Sequence, residues 1–377
     1  MRVQPKIKVL RIIARMNVGG PAVQISNLMR GLDPKIFDQK LITGYCEQNE
    51  IDYLELNAPE IPCTRIKGFG RRVSPKEDLL AFFYLAKEIK KFKPDYIHTH
   101  TAKAGVLGRT AAILVFSRAK LIHTFHGHLL HGYFSPFKTK LVVLIEKLLA
   151  TRSTTLVSVG EQVRNDLLAA GVGRQGQFRI IPPGVYLGAI PKSHLIRTSL
   201  DIPESATVIT FLGRITKVKR PDRFAQVALQ ISKQTPNIYF LIVGSGELEE
   251  ILKNELSTIS PKVKFLGWRN DIENILEATD IMLLTSDNEG TPVSAIQAGM
   301  AGIPTVSTNV GSVSKIIEDG VSGILTSLNP SEIVEQLQKL IRDTKLRQTL
   351  GERAKLDITE RFSVSQLIKK HEEIYTV

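Results

Sequence analysis

The chain has 377 residues, too many for one ordinary core and suited to two domains, and its 43% hydrophobic content excludes disorder as the default. No apolar run approaches the roughly 18 residues that would span a bilayer. The net charge of +13 is uneven, because residues 1–185 hold 28 Lys and Arg against 14 Asp and Glu while the remainder holds 22 against 23. A basic half-protein suits nucleic acid, an anionic membrane surface or a phosphate-bearing substrate. Aromatics at 6%, with no run of them among the basic residues, offer no base-stacking platform, so nucleic acid is set aside.

The start, Met1-Arg2-Val3-Gln4-Pro5-Lys6, lacks the apolar core of a signal peptide, which predicts a soluble, cytoplasmic protein. Residues 6–14 form the first predicted strand. After Asn17-Val18-Gly19-Gly20-Pro21, the residues Ala22, Val23, Ile25, Leu28 and Met29 fall at helical spacing. In an α/β domain this turn lies at the carboxyl edge of the sheet, where such folds bind ligands. It is not GxGxxG, and a tight turn with no ligand is the plain alternative. Cys46 and Cys63 have no metal-ligand spacing and read as buried thiols.

Alternation then continues through strands at 41–42, 64–66, 96–98, 121–124, 155–157 and 178–181, with helices over 75–93, 103–116, 136–151 and 160–170. This pattern predicts a parallel sheet with helices on both faces. Pro182-Pro183-Gly184 opens a linker over 182–190. A second series follows, with strands at 208–212, 238–243, 263–266, 281–284 and 305–306 and helices at 221–233, 247–256, 271–277 and 312–318. Residues 331–342 and 364–375 also read as helical. The predicted domains are 1–185 and 186–360, with a terminal helix over 361–377 that could pack back toward the first domain.

The stretch Glu289-Gly290-Thr291-Pro292-Val293-Ser294-Ala295-Ile296-Gln297 follows the apolar strand 281–284. Pro292 suits the first helical turn, Thr291 can cap it and Gly290 allows close backbone approach. Such a helix start binds anions, diphosphates included. Glu289 could accept hydrogen bonds from ligand hydroxyls, or be a solvated acid beside an ordinary capped turn. Gly213-Arg214 ends the first strand of the second series and Lys219 lies five residues beyond Arg214. Two cations there could neutralise a leaving diphosphate, or form a solvated basic loop. Gly244-Ser245-Gly246 forms another tight turn, a wall of the same region.

His98, His100, His123, His126, His128 and His131 cluster in the first half, but no nearby Cys or carboxylate completes a zinc pattern. His126 is the better candidate for contacting a substrate hydroxyl, a core or capping histidine being the alternative. His100, Lys103 and Arg109 are candidates for meeting an acceptor; the two cations could equally lie on a solvated face. The helices over 79–93 and 136–151 mix Leu80, Phe83, Leu141, Leu144, Ile145 and Leu148 with Lys87, Lys90, Lys91, Lys138, Lys140 and Lys147. Either the apolar residues face the sheet and the lysines water, or the lysines hold this domain at an anionic leaflet.

Together these segments resemble the retaining glycosyltransferases of family four, which have the GT-B architecture of two Rossmann-like, doubly wound parallel-sheet domains facing a cleft. The matching segments are Gly19-Gly20, His98-Thr-His-Thr-Ala-Lys103-Ala-Gly105-Val-Leu-Gly108-Arg109, Thr124-Phe-His126-Gly127 and Ile181-Pro-Pro-Gly184. Phe211-Leu-Gly213-Arg214 with Lys219, Val243-Gly-Ser-Gly246, Glu289-Gly-Thr-Pro292, and Gly311-Ser-Val with Glu318-Asp-Gly320 complete the set.

The resemblance implies a nucleotide-sugar donor, commonly UDP-linked, no cofactor and usually no metal. By the same resemblance Arg214 and Lys219 hold the diphosphate, Gly19 and Gly20 approach it, and Glu289 contacts donor-sugar hydroxyls. Gly213, Gly244, Gly290, Thr291, Pro292 and Val293 line the donor, and His126 lines the sugar site. It further implies transfer with retention to a polyprenyl-diphosphate-linked or other glycan acceptor at the inner membrane face. One departure stands out: the family pattern is Glu-x7-Glu, and the second acid, which accepts from the ribose, is here Gln297. Gln keeps one acceptor and loses the charge. A catalytically silent nucleotide-sugar-binding subunit is therefore the alternative function. A dinucleotide-dependent oxidoreductase is disfavoured because no strand is followed by GxGxxG.

Overall fold

The computed structural model describes residues 5–48, 50–70, 72–127 and 136–376. His128 and His131 lie outside the described residues. The chain divides into two compact units, Met1–Gly184 with Val364–Val377, and Val185–Ser363.

The first unit runs β1 (Ile7–Ile13), α1 (Gly20–Gly31), β2 (Phe37–Thr43), α2 (Tyr53–Asn57), β3 (Cys63–Arg65), α3 (Pro75–Phe92) and β4 (Tyr96–His100). It continues with α4 (Ala102–Leu114), β5 (Lys120–Phe125), α5 (Pro136–Ala150), β6 (Thr155–Ser158), α6 (Glu161–Ala169) and β7 (Phe178–Ile180). The strand order is β3-β2-β1-β4-β5-β6-β7, and every pairing is parallel. Right-handed crossovers put α1 and α2 on one face and α3 to α6 on the other. With both faces covered, β1 buries Val9, Leu10, Ile12 and Ile13 in a near-continuous apolar run.

The second unit runs α7 (Leu195–Ser199), β8 (Thr207–Leu212), α8 (Pro221–Gln234), β9 (Ile238–Val243), α9 (Glu249–Glu255), β10 (Val263–Gly267) and α10 (Ile272–Ala278). Then come β11 (Ile281–Leu284), α11 (Val293–Ala301), β12 (Thr305–Thr308), β13 (Gly323–Thr326), α12 (Pro330–Arg342) and α13 (Thr344–Arg361). Its sheet, β10-β9-β8-β11-β12-β13, is also wholly parallel and repeats the order of the first six strands of the other unit. Both are doubly wound sheets whose strand order reverses direction once, between β1 and β4 and between β8 and β11.

The last helix, α14 (Val364–Tyr375), belongs to the first unit and lies against α1. Its Tyr375 is buried edge-on to Phe37 and Tyr96, with ring centroids 6.0 and 5.3 Å apart.

Several elements differ from expectation. The helix predicted at 312–318 is only a single tight turn over Val313–Lys315, after which the chain makes the unforeseen strand β13. Helix α13 was also unforeseen: the face it buries, Leu350, Gly351, Ala354 and Ile358, is diluted by glycine and alanine, and Leu356 is exposed on another side. Cys46 and Cys63 are free and half-buried, not buried.

Candidate functional site

In doubly wound sheets ligands bind beyond the carboxyl ends of the strands, where the strand order reverses. In the second unit that point is between β8 and β11, and the loops leaving these strands carry Gly213-Arg214 and residues 285–289. Gly244, in the turn after β9, has φ 130°, and a Cβ on it would fall 2.0 Å from the Gly213 carbonyl oxygen. Only glycine allows the two turns to lie this close. Gly311 does the same for the other wall: its φ is 57°, and a Cβ would meet the Glu289 carbonyl oxygen at 2.0 Å. Ser312 N–H donates to that carbonyl at 2.9 Å.

Lys219 closes a short tight turn, and its Nζ donates to Glu289 Oε1 at 2.6 Å; Ser286 Oγ donates to the same oxygen at 2.5 Å. The Lys219 side chain is 23% exposed and the Glu289 side chain 8%. Backbone and side chains stitch the two loops together. Thr285 Oγ1 donates to the carbonyls of Lys219 and Arg220, Asp287 N–H donates to the Val218 carbonyl, and Arg220 and Arg223 both pair with Asp287. Arg223 also donates to the Thr285 carbonyl at 2.6 Å from a buried position. Lys219 and Glu289 are therefore held by packing rather than by their own contact alone. Arg214 is exposed, and its guanidinium has no partner among the described residues.

Helix α11 starts one residue later than expected. Pro292 occupies the N-cap and not the first turn, and no side chain caps the helix. Thr291, expected as the cap, donates its hydroxyl to the Gly290 carbonyl at 2.8 Å. Proline has no side-chain acceptor, so no side chain takes up the first-turn N–H groups, and a helix start of this kind is suited to an anion. Val293 and Gln297, four residues apart, are half-exposed on a helix whose residues 294–296 and 298–300 are buried. They share one face of α11.

In the first unit the corresponding point lies between β1 and β4. Gly19 is the N-cap of α1, again with no side-chain cap, and Gly20 opens the helix. His100 ends β4 and is fully buried; its Nδ1 lies 2.9 Å from Nε2 of His126, which follows β5. Behind them, His98 stacks on His100 with centroids 4.2 Å apart. His98 Nδ1 is 2.5 Å from the Tyr375 hydroxyl, which also accepts from the buried Arg11 at 2.8 Å. Burial and the neighbouring Arg11 push His98 well below the ordinary histidine range, burial and His98 do so for His100, and burial alone takes His126 down to about 3. All three rings are neutral near pH 7, so His126 can hydrogen-bond a hydroxyl but does not offer an imidazolium. Among the described residues no group of three or more His, Cys, Asp or Glu is placed to hold a metal ion.

Two acceptor candidates read differently in the structure. Arg109 is neither on a solvated face nor open to an acceptor: it is fully buried, donating to both Glu146 oxygens at 2.6–2.7 Å and to the Gly105 carbonyl at 2.9 Å. Lys103 is 12% exposed and tied to Asp78 at 2.5 Å and to the Arg72 carbonyl at 2.6 Å. Sequence reasoning also missed Ser286 and Thr285, which fix the acid and the lysine. It missed Thr101 as well, a non-glycine residue at φ 69° between His100 and α4. Such strained positions cost about 1–3 kcal/mol and cluster at functional sites.

Comparisons with known proteins identify the family. The model of Glycosyltransferase Family 4 matches residues 18–188, and that of Glycosyl transferases group 1 matches residues 193–357. The chain is 30% identical over 318 residues, 81% of each chain, to an Escherichia coli UDP-Gal:alpha-D-GlcNAc-diphosphoundecaprenol alpha-1,3-galactosyltransferase. It is 23% identical over 315 residues to the capsular polysaccharide biosynthesis glycosyltransferase CapM of Staphylococcus aureus, covering 81% of this chain and 82% of that one. Among solved structures, HepE of Anabaena in complex with UDP superposes with a TM-score of 0.82 at 20% identity, covering 98% of this chain and 100% of that one. With both family models matched in chain order and a relative 30% identical over 81% of each chain, the chain belongs to glycosyltransferase family 4.

Proposed function

We propose that the chain is a retaining transferase that moves a hexose or N-acetylhexosamine from a UDP-sugar to a glycan acceptor carried on a polyprenyl diphosphate, in the synthesis of bacterial surface polysaccharide. The observation that carries this reading is the Lys219–Glu289 pair beside the uncapped start of α11, at the reversal point of the second sheet. A cation and free N–H groups suit a diphosphate; a fixed carboxylate beside them suits sugar hydroxyls. Glu289 Oε1 already accepts from Lys219 and Ser286, which leaves Oε2 for a ligand hydroxyl.

In this reading Arg214, Lys219 and the first-turn N–H groups of α11 neutralise the diphosphate as its bond to the sugar C1 breaks. The acceptor hydroxyl bonds to C1 from the same face, and its proton passes to the departing phosphate oxygen. In the first unit His126, neutral and held by His100, is left to hydrogen-bond a hydroxyl. Gln297 accepts from the ribose, and the transfer uses no metal. The undecaprenyl diphosphate acceptor and UDP-galactose donor in the name of the E. coli relative, and the UDP bound by HepE, support the choice of substrates. A lipid-linked acceptor also puts the enzyme at the inner face of a membrane.

The test is transfer of label from UDP-galactose, UDP-glucose and their N-acetyl counterparts to a short-chain polyprenyl-diphosphate sugar, with the anomeric configuration of the product determined by NMR. An α-linked product from one donor supports the reading; an inverted product removes the retaining mechanism. Gln297 favours one other reading, a silent nucleotide-sugar-binding subunit, and turnover by the purified chain dismisses it.

A further inference from the structure

Helices α3, α4 and α5 lie side by side on one face of the first sheet, with α4 between the other two. The inward residues of α3 are Ala81, Leu85, Glu88 and Ile89, whose spacing forms one helical face. A second apolar stripe, Leu79, Leu80 and Phe83, points to solvent and is 56–60% exposed. On α5, Leu141, Leu144 and Leu148 at i, i+3 and i+7 are 49–64% exposed. Leu114 and Phe116, at the end of α4, are 60% and 90% exposed.

Charge on this layer is sorted by direction. Glu88 turns inward to Lys40, Glu146 to the buried Arg109, and Asp78 pairs with Lys103. What α3 and α5 present outward is Lys76, Lys87, Lys90, Lys91, Lys140 and Lys147, against the single acid Glu77. Apolar side chains left in water beside an excess of lysine are costly for a surface that touches only solvent. Both features are accounted for by one occupant that is apolar inside and negative outside. No helix among the described residues is long and apolar enough to cross a membrane.

We infer that the outer face of α3, α4 and α5 docks on an anionic lipid bilayer, its leucines and phenylalanines entering the interface while its lysines meet the headgroups. The inference rests on the reading above only in placing the acceptor in a membrane; the surface itself is argued from exposure and charge.

The experiment is flotation of the full chain with vesicles of phosphatidylcholine, with and without phosphatidylglycerol, alongside UDP binding by calorimetry. The wild type is expected to float with the anionic vesicles only. Lys87→Gln/Lys90→Gln/Lys91→Gln is expected to lose about a hundredfold in partition and Leu80→Glu/Phe83→Glu at least about tenfold, both keeping wild-type UDP affinity as proof of folding. Leu356→Glu, an exposed leucine of the second unit, is the control expected to float normally. Wild type that stays unbound, or variants that float equally well, overturns the inference. So does a change in oligomeric state of the variants with flotation intact, which would assign the face to a second copy. Loss of UDP binding in the wild type would instead strike the proposed donor site and leave the flotation result standing.

Discussion

The two units share one strand order but place opposite chemistry at the point where it reverses. In the second unit the loops after β8 and β11 keep charge: Arg214 is exposed and Lys219 and Glu289 form an ion pair near the surface. In the first unit the neutral imidazoles are His100, which ends β4, and His126, which follows β5; of the charged residues nearby, Arg15 in the loop after β1 pairs with Glu50, and Arg11 and Arg109 are sealed inside. A diphosphate requires the first environment, whereas sugar hydroxyls are served by the second. The fold fixes where a ligand can sit, and the loop residues decide what it can be.

The comparison breaks most severely if the buried charges of the first unit prove dispensable. Glu146→Ala leaves the Arg109 guanidinium buried without its carboxylate and is expected to cost about 3–5 kcal/mol, read as a lowered urea midpoint with UDP affinity retained. An unchanged midpoint would mean that Arg109 finds water or another partner. Next in size, Lys219→Ala and Arg214→Ala are each expected to reduce turnover about 10²–10³-fold with folding intact, measured by single-turnover kinetics. Near-normal rates in both would remove the cations from the site.

Acid sharpens the contrast. His98, His100, His123, His126 and His371 are all pushed below their ordinary range, chiefly by burial, with His126 and His371 at about 3. Between the usual 6.5 and those values the unfolded chain binds protons that the folded one refuses. Stability is therefore full above pH 6.5 and lost as pH falls, by about 1.4 kcal/mol per pH unit for each histidine inside the window. Hydrogen exchange at β4 and β5 amides should accelerate between pH 6.5 and 5 beyond the trend at β8 and β11. Equal pH trends in the two sheets would contradict the assignment. The smallest effect concerns Gln297: Gln297→Glu restores a charged acceptor and is expected to tighten UDP binding about fivefold, since hydrogen bonds to charged groups exceed neutral ones by about 1 kcal/mol. A weaker affinity would show that the amide has its own partner.

Much of this architecture was legible in the chain. Alternating apolar runs and helical periods marked most strands, and Gly213-Arg214, Lys219 and Glu289 stood out because glycine and charge follow strands where a sheet ends. What escaped has definite causes. Arg109 looks like any helical cation until Glu146, 37 residues later, is folded against it. Tyr375 reaches His98 from 277 residues away. Helix α3 carries two apolar stripes, and periodicity does not say that Ala81, Leu85 and Ile89 face the sheet while Leu80 and Phe83 do not. Ser286 and Thr285 are short polar residues whose role exists only once the two loops meet.

The account stands on the diphosphate being held by Lys219, Arg214 and the uncapped start of α11. Calorimetric titration of the wild type and of Lys219→Ala with UDP, with EDTA present, tests this most directly. The account predicts clear binding by the wild type without metal, weakened at least about tenfold in the variant. Equal affinities in the two proteins, or wild-type binding that appears only when magnesium is restored, would contradict it.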